Sequence, residues 1–146
     1  MRIIKEKMTY KIAAKYIKNI NFNIPNARTF FLLSKEISDY KINIEIKSKQ
    51  IEKNIVEIEI NLSLKPVKEK FEAITSSILY SVLIELEQTI KNKQDLEKIV
   101  LIKVPNEVYP ELRECFVLLF KKSGFKDVKI DNTIDFEKLY SKNKTQ

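Results

Sequence analysis

Three segments of the chain alternate apolar and polar residues with a period of two. They are Lys11–Ile24, which contains "NINFNI", Tyr40–Lys47 ("YKINIEIK") and Ile55–Leu64 ("IVEIEINLSL"). Successive side chains of a β-strand point to opposite faces, so this pattern predicts three strands, each with one buried and one solvated face. The buried face of the third strand is predicted to comprise Val56, Ile58, Ile60, Leu62 and Leu64.

The connections between these segments differ in length and composition. Pro25–Asp39 is too long for a hairpin loop, and it carries the apolar run "FFLL" at residues 30–33. Lys49–Lys53 is expected to form a polar turn between the second and third strands. Pro66 is expected to end the third strand, because proline has no N–H group to donate to a sheet ladder.

Two structures remain open for Val67–Gln88. Its apolar residues fit one stripe of a helix, at Phe71, Ile74, Ile78, Val82 and Leu86. Against a helix, the segment Ile74–Ile78 ("ITSSI") is rich in β-branched residues and serine, which weaken helices. The residues alone therefore favour neither a helix nor a strand.

Helical periodicity dominates the last third of the chain. A short helix is predicted over Asp95–Val104, stopped by proline at 105, and a longer one over Pro105–Phe120. Gly124 is expected to cap the longer helix, and a final short helix is predicted over Ile134–Ser141. The wide apolar stripe of the longer helix comprises Val108, Leu112, Cys115, Phe116, Leu119 and Phe120.

These elements predict one α+β domain over residues 1–146, with a four-stranded, mostly antiparallel sheet followed by C-terminal helices. Residues 1–8 and 141–146 are expected to be frayed ends. Val117 and Leu118 are apolar but lie off the main stripe of the longer helix. A small sheet with such a helix leaves apolar surface for an oligomer to bury.

The composition argues against catalysis. The chain has no histidine, which is the commonest general base and metal ligand. Its single glycine, Gly124, excludes a glycine-rich phosphate loop. Cys115 lies in the apolar run "RECFVLLF" without a histidine to activate it, so we interpret it as a buried core thiol. We therefore predict that the protein is not an enzyme.

The basic charge has a specific make-up. The net charge is +7, but only three of the 27 basic residues are arginine, and the lysines alternate with acidic residues. That pattern is typical of a solvated surface, so nucleic-acid binding is an alternative that rests on charge alone. A single cysteine fits a reducing compartment, and no segment approaches the length of a membrane span. We expect a cytoplasmic protein without membrane insertion.

Three motifs together resemble the SecB family of bacterial protein-export chaperones. They are "YIKNINFNIPNA" at Tyr16–Ala27, "VPNEVYPELREC" at Val104–Cys115 and "IDFEKLY" at Ile134–Tyr140. They occur in the family's order, and the resemblance covers nearly the whole chain. It implies a homotetramer, built as a dimer of dimers with the sheets outside and the long helices between the dimers. The helix residues that this assembly implies at the interface are Leu112, Cys115, Phe116 and Leu119.

The resemblance also implies a function. SecB-like proteins are holdases that work without ATP or a cofactor: they bind unfolded or precursor polypeptides in apolar grooves and keep them export-competent for the Sec translocase. The fold also implies that the first part of Val67–Gln88 is the fourth strand, continuing toward Tyr80. The groove residues that the resemblance implies are Phe30, Phe31, Tyr40, Ile42, Ile44, Phe136, Leu139 and Tyr140.

The surface that docks the SecA motor in the family departs from the family's pattern here. Asn19 and Asn23 match positions that bear acidic side chains in typical members, and their parity places both on the solvated face of the first strand. Lys70 stands where an apolar residue is usual, whereas Glu72 keeps an acidic one. Two client classes therefore remain open. One is precursor proteins for export, and the other is an antitoxin of a toxin–antitoxin pair, which some SecB-like chaperones stabilise.

Overall fold

A four-stranded antiparallel sheet forms one layer of the structure, a computed structural model that describes residues 10–36, 40–66, 74–87, 92–126 and 128–144. The strands are β1 (Tyr10–Asn23), β2 (Tyr40–Glu52), β3 (Ile55–Pro66) and β4 (Thr75–Leu86). Their order is β1-β4-β3-β2, so β1 and β2 are the two edges. The helices are α1 (Ala27–Glu36), α2 (Lys93–Lys98), α3 (Val104–Lys122) and α4 (Phe136–Lys144).

The three strands predicted from alternation are confirmed, but β1 lacks the buried face that was expected, because Ile17 and Ile20 at the edge of the sheet are exposed. Strand β3 ends at Pro66, as expected, and pairs antiparallel with β2. The turn between them is at residues 53–54. The predicted polar turn over Lys49–Lys53 therefore began four residues too early. Strand β2 continues through those polar residues because a β-bulge between Gln50 and Glu52 keeps it paired with β3.

One face of the sheet, the inner face, packs against the helices, whereas no helix of the described residues packs on the opposite outer face. The predicted buried set of β3 is confirmed, since each of its members is at most 6% exposed. On β4 the same face carries Ile78, Val82 and Ile84, which are also buried. A two-residue period on both central strands thus builds the core.

The long connection between β1 and β2 contains helix α1, where the sequence had suggested no regular element. Asn26 caps its first turn, because the Oδ1 atom of Asn26 accepts a hydrogen bond from the N–H group of Thr29 at 2.8 Å. Leu33 is fully buried, and the ring of Phe30 packs against that of Phe125 at 4.9 Å between centroids. Phe30 and Leu33 are three residues apart, which is the spacing of one helix face. The spacing was not evident in the sequence because the two residues between them are also apolar.

Strand β4 decides between the two structures left open for Val67–Gln88. Within that segment Thr75–Leu86 is a strand, which extends beyond Tyr80, and residues 67–73 and 88–91 lie outside the described ranges. The strand has hydrogen-bonding neighbours on both sides, β1 and β3. Central pairing of this kind overrides the helical spacing of its apolar residues.

Helical structure is continuous from α2 to α3. A π-helical turn, Ile99–Lys103, joins the two, and the N–H group of Val104 donates to the carbonyl of Ile99, five residues back. Pro105 does not end the helix over Asp95–Val104, contrary to the prediction. Proline fits there because it follows the π-helical turn, where the helix changes its hydrogen-bond register.

Helix α3 crosses the inner face of the sheet and supplies its largest core residues. Leu112, Phe116 and Phe120 are fully buried. The ring of Phe120 meets that of Phe22 on β1 edge to face, with 5.1 Å between centroids. The wide apolar stripe that the sequence predicted for the longer helix is therefore the face of α3 that covers the sheet.

The predicted glycine cap at the end of α3 is confirmed. Gly124 has a φ of +102° and donates a hydrogen bond to the carbonyl of Lys121 at 3.1 Å. The next residue, Phe125, donates to the carbonyl of Phe120 at 3.1 Å, and their rings lie 5.5 Å apart. Together these contacts form a Schellman motif with its hydrophobic partner pair.

Helix α4 extends to Lys144, three residues beyond the predicted end at Ser141. Residues 141–144, which were expected to be frayed, are therefore helical in the structure. Asp135 caps the helix, because its Oδ1 atom accepts a hydrogen bond from the N–H group of Lys138 at 3.0 Å. The helix therefore starts later than the periodicity indicated. The other end predicted to be frayed, residues 1–8, lies outside the described ranges.

Gly124→Ala should destabilise the fold by about 1–2 kcal/mol, the cost of a left-handed conformation for a residue with a Cβ atom. The added Cβ would also lie 3.0 Å from the Cζ atom of Phe30. Urea unfolding followed by circular dichroism, at one fixed protein concentration, measures the change. Glu114→Ala, on the exposed side of the same helix, is the control and should change stability by less than about 0.5 kcal/mol. Equal effects of the two substitutions would contradict the cap.

Candidate functional site

A groove with an apolar floor and polar residues along its rim runs between edge strand β2 and helix α4. It consists of two adjoining clefts of about 560 and 490 Å³, which share Asn43, Ile44 and Leu139 in their linings. We call it the β2–α4 groove. Its apolar lining comprises Ile42, Ile44, Ile46, Leu101, Ile134 and Leu139, with Tyr140 at one end.

The floor of the groove exists because β2 is an edge strand. Ile42, Ile44 and Ile46 lie on the inner face, opposite buried residues of β3. In the described sheet no strand lies beyond β2, so these three side chains touch the core on one side only. They are half-buried, and the apolar area that they keep in contact with solvent is available to a ligand.

The wall of the groove is helix α4, which is anchored at two positions. Phe136 is 3% exposed, and its ring packs edge to face on that of Tyr109 at 6.0 Å. The hydroxyl of Tyr140 donates to the Oε1 atom of Glu97 on α2 at 3.1 Å. These contacts hold the helix so that Leu139 faces the groove.

The structure brings together four of the residues expected in a groove: Ile42, Ile44, Leu139 and Tyr140. Tyr40 is the first residue of β2, at the same end of the groove as the cleft of Ile42. The other three are elsewhere among the described residues. Phe136 is buried as an anchor, Phe30 packs on Phe125, and Phe31 is 58% exposed with the Nζ atom of Lys35 4.3 Å above its ring.

Three apolar lining residues were missed by the sequence analysis, as were the polar ones. Ile46 continues the two-residue period of Ile42 and Ile44, so the alternation itself could have identified it. Leu101 lies in the π-helical turn and Ile134 in the segment before α4. No sequence signal connects those two to β2, because only the tertiary fold brings them to the groove.

The outer face of the sheet carries the asparagines of β1. Asn19, Asn21 and Asn23 are exposed on it, whereas Phe22 points to the inner face, which confirms the predicted parity. Asn19 also lines a shallow hollow of about 330 Å³ on this face. Lys70 and Glu72, the other two residues implied for SecA docking, lie outside the described residues.

A buried carboxylate cross-links three strands on the outer face. The Oε2 atom of Glu57 accepts hydrogen bonds from Ser81 Oγ at 2.8 Å, Lys18 Nζ at 3.0 Å and the Tyr16 hydroxyl at 3.1 Å. Lys18 also reaches Glu59 at 2.6 Å, from a β-bulge between residues 17 and 19. The hydrogen bond from Ser81, followed by that from Lys18, lowers the pKa of Glu57 below its ordinary value. This cluster, the Glu57 cluster, was not anticipated from the sequence.

A second apolar surface lies at the edge formed by β1 and α3. Ile17 and Ile20 of β1 and Leu118 of α3 are exposed. Of the four helix residues implied at an oligomer interface, Leu112 and Phe116 are fully buried inside the chain and have no surface to offer to a partner. The other two, Cys115 and Leu119, are half-buried.

The described ranges contain no helix that is both long and apolar enough to cross a membrane. They also contain no group of three or more histidine, cysteine, aspartate or glutamate side chains that could hold a metal ion.

Comparisons with known proteins identify relatives of the whole chain. The family model described as "Preprotein translocase subunit SecB" matches residues 4–146. The putative protein-export protein SecB of Pelagibacter ubique (strain HTCC1062) is 33% identical over 131 residues, which cover 90% of this chain and 94% of that protein. The protein-export protein SecB of Anaplasma marginale (strain Florida) is 25% identical over 142 residues, which cover 90% of this chain and 80% of that protein.

A solved structure has a similar fold. It is the SecB-like chaperone of Mycobacterium tuberculosis in complex with a ChAD peptide from an antitoxin, with a TM-score of 0.65. The match covers 86% of this chain and 88% of that chain at 11% sequence identity. At this identity the likeness concerns the fold, namely the four-stranded antiparallel sheet with its helices.

Glu57→Gln should lower stability at neutral pH and reduce its dependence on pH. Because folding lowers the pKa of Glu57, its stabilising effect is fully present above the ordinary value of 4.5 and is lost as the pH falls below it, through the folded-state pKa. We expect the variant to be less stable by about 1–3 kcal/mol at pH 7, with a smaller difference at pH 3.5. Urea unfolding at both pH values measures this.

The control for that experiment is Glu45→Gln, which removes an exposed carboxylate from the neighbouring strand and should have little effect at pH 7. A stability difference between Glu57→Gln and wild type that stays constant from pH 7 to pH 3.5 would contradict the assigned role of the carboxylate.

Proposed function

The chain belongs to the SecB family, and we propose that it is a cytoplasmic chaperone for protein export. In this proposal it binds unfolded or precursor polypeptides in the β2–α4 groove and holds them, without ATP or a cofactor, for the Sec translocase. The observation that carries the proposal is a continuous apolar groove whose floor is half-exposed although it is part of the sheet.

The groove has the properties that a nonspecific polypeptide site requires. Six aliphatic side chains line its floor and wall among polar ones, so many different client side chains can bury apolar surface there without a precise polar match. Full burial of each such side chain contributes about 1.5–3 kcal/mol, and a client that covers Ile42, Ile44 and Leu139 together would be held through several such contributions. The fold relative from Mycobacterium tuberculosis was solved with a bound peptide, which supports a polypeptide as the occupant here.

We propose that the working form is the family's tetramer. The exposed Ile17, Ile20 and Leu118 support this, because burial between copies would remove their apolar area from water. On this proposal the half-buried Cys115 and Leu119 contribute to the helix interface, whereas the fully buried Leu112 and Phe116 stabilise the single chain beneath it.

A second candidate function is to bind and stabilise the antitoxin of a toxin–antitoxin pair, instead of delivering clients to the export motor SecA. The observation that favours it is the absence of carboxylates at positions 19 and 23 on the outer face of β1, where Asn19 and Asn23 offer amides instead. Carboxylates there would form charge-assisted hydrogen bonds with a basic partner, which are stronger than bonds from neutral amides. Client holding is common to both candidates, and only the destination of the client differs.

The holding function is tested by light scattering of a chemically unfolded precursor protein diluted into buffer. We expect the wild-type protein, at one tetramer per client, to suppress aggregation in moderate salt, because apolar burial is not screened. The double variant Ile44→Ser with Leu139→Ser should lose most of this suppression, since it removes apolar side chains from both sides of the groove.

The matched control is Ile51→Ser, which removes an isoleucine that is 45% exposed on the same strand but outside the groove. It should suppress aggregation as well as wild type does. Unaltered aggregation with wild type would contradict the holdase, and equal losses in the double variant and the control would contradict the groove as its site.

Docking of SecA has its own test. Asn19→Asp combined with Asn23→Glu should strengthen binding to purified SecA, measured by titration calorimetry. Each new charge-assisted hydrogen bond contributes about 1.5–3 kcal/mol, so even one corresponds to a tenfold or greater increase in affinity. Asn132→Asp, which adds a negative charge to an exposed loop, should leave the affinity unchanged. No gain from the double variant would argue against this face as the docking surface.

A further inference from the structure

We infer that the β2–α4 groove selects extended client segments in which an apolar centre of about five residues is flanked by acidic residues. This inference rests on the proposed function, since it concerns which polypeptides the same groove prefers. It arises from the charged residues at the two ends of the groove, which the apolar lining does not require.

Lysines lie beside both ends of the groove: the side chains of Lys41 and Lys47 project from β2 on the outer face, opposite to its isoleucines, and Lys129 lies at the end near Lys41. Lys41 and Lys129 line the cleft at one end, and Lys47 lines the cleft at the other. All three are exposed, and within the described part of the chain none of them has an acidic side chain within ion-pair distance. Their ammonium groups are therefore available to an acidic side chain of a ligand.

The spacing of these lysines matches an extended peptide. Lys41 and Lys47 are six residues apart on the same strand, which corresponds to roughly 20 Å. The isoleucines at 42, 44 and 46 lie between them on the inner face. A segment that pairs with the edge of β2 in extended form alternates its side chains between the two faces of the sheet. Those on the inner face would lie beside the isoleucines, and those on the outer face at its two ends, about six residues apart, would lie beside Lys41 and Lys47.

The acidic residues of the groove refine the preference without reversing it. Glu45 lies between the two lysines on β2, and Asp131 lines the same cleft as Lys129. Strand β2 carries three lysines over Lys41–Lys49 against the single Glu45, so its edge is net positive. Because Glu45 lies near the centre, acidic client residues are disfavoured there and favoured at the ends.

The free edge of β2 gives the occupant its extended form. Within the described sheet β2 pairs only with β3, so its other edge presents unpaired backbone groups toward the groove. An extended peptide can add to such an edge through main-chain hydrogen bonds, while pockets for alternate side chains provide selectivity. A client with a helical or compact segment could not satisfy both the edge and the spacing of the lysines.

Three fluorescent peptides test the preference. They share one apolar centre of five residues and carry glutamate, glutamine or lysine at both ends, and anisotropy titration measures their dissociation constants. At low salt we expect the glutamate peptide to bind about three- to tenfold more tightly than the glutamine peptide, and the lysine peptide to bind more weakly than either. The difference should shrink at 0.5 M salt, because exposed charges are screened.

Lys41→Gln combined with Lys47→Gln should bring the three dissociation constants together while keeping the affinity for the glutamine peptide. The control, Lys11→Gln combined with Lys122→Gln, removes the same total charge from exposed positions outside the groove and should keep the order of the peptides. If the control variant also lost the order of the three dissociation constants, the assignment of the charge preference to Lys41 and Lys47 would be overturned.

The outcomes separate this inference from the function on which it rests. Equal binding of all three peptides to wild type would overturn the charge preference but leave the groove as a polypeptide site. The lysines would then serve to keep the exposed edge of β2 from pairing with other chains. Failure of even the glutamine peptide to bind, at concentrations up to the millimolar range, would overturn the proposed function itself.

Discussion

The packing of α3 across the inner face of the sheet is the interaction on which the rest of the structure depends. Near its C-terminal end, Phe120 contacts the rings of Phe22 on β1 and Phe125 in the following turn. Near its middle, the carboxylate of Glu111 accepts hydrogen bonds from Lys15 of β1 at 2.7 Å and from the Tyr80 hydroxyl of β4 at 3.0 Å. The helix is thereby fixed over the β1 side of the sheet, so a different element has to face β2.

That element is α4, and its attachment explains how an apolar groove can persist in water. The isoleucines of β2 belong to a strand that is fully paired with β3 on one side, so exposure of their side chains does not destabilise the backbone that carries them. Phe136 and Tyr140 fix the opposite wall through contacts that lie outside the groove or at its end. A binding surface that is supported from behind can stay open, whereas an unsupported one would collapse onto itself.

Alternation in the sequence was sufficient to predict β2 and β3, because strand parity is a local property, whereas the place of Ile42 and Ile44 in a groove was implied by the family resemblance. Strand β4 could not be decided locally, since its residues become a strand only through pairing with neighbours on both sides. Phe136 was expected in the groove with Leu139 from the same resemblance, but it is buried, because the rotation of a helix relative to distant elements is not encoded in its own periodicity. For the same reason Leu101 and Ile134 could not be assigned to the groove.

The sole glycine of the chain is also, within the described ranges, the sole residue with a positive φ. Every other turn in those ranges is therefore built from residues with side chains, which restrict φ and ψ in the denatured ensemble as well as in the native one. Such a chain loses less backbone entropy when it folds than a glycine-rich chain of equal length. Part of the tolerance for exposed apolar surface on β1, β2 and α3 thus has its origin in the unfolded state, where fewer conformations compete with the native fold.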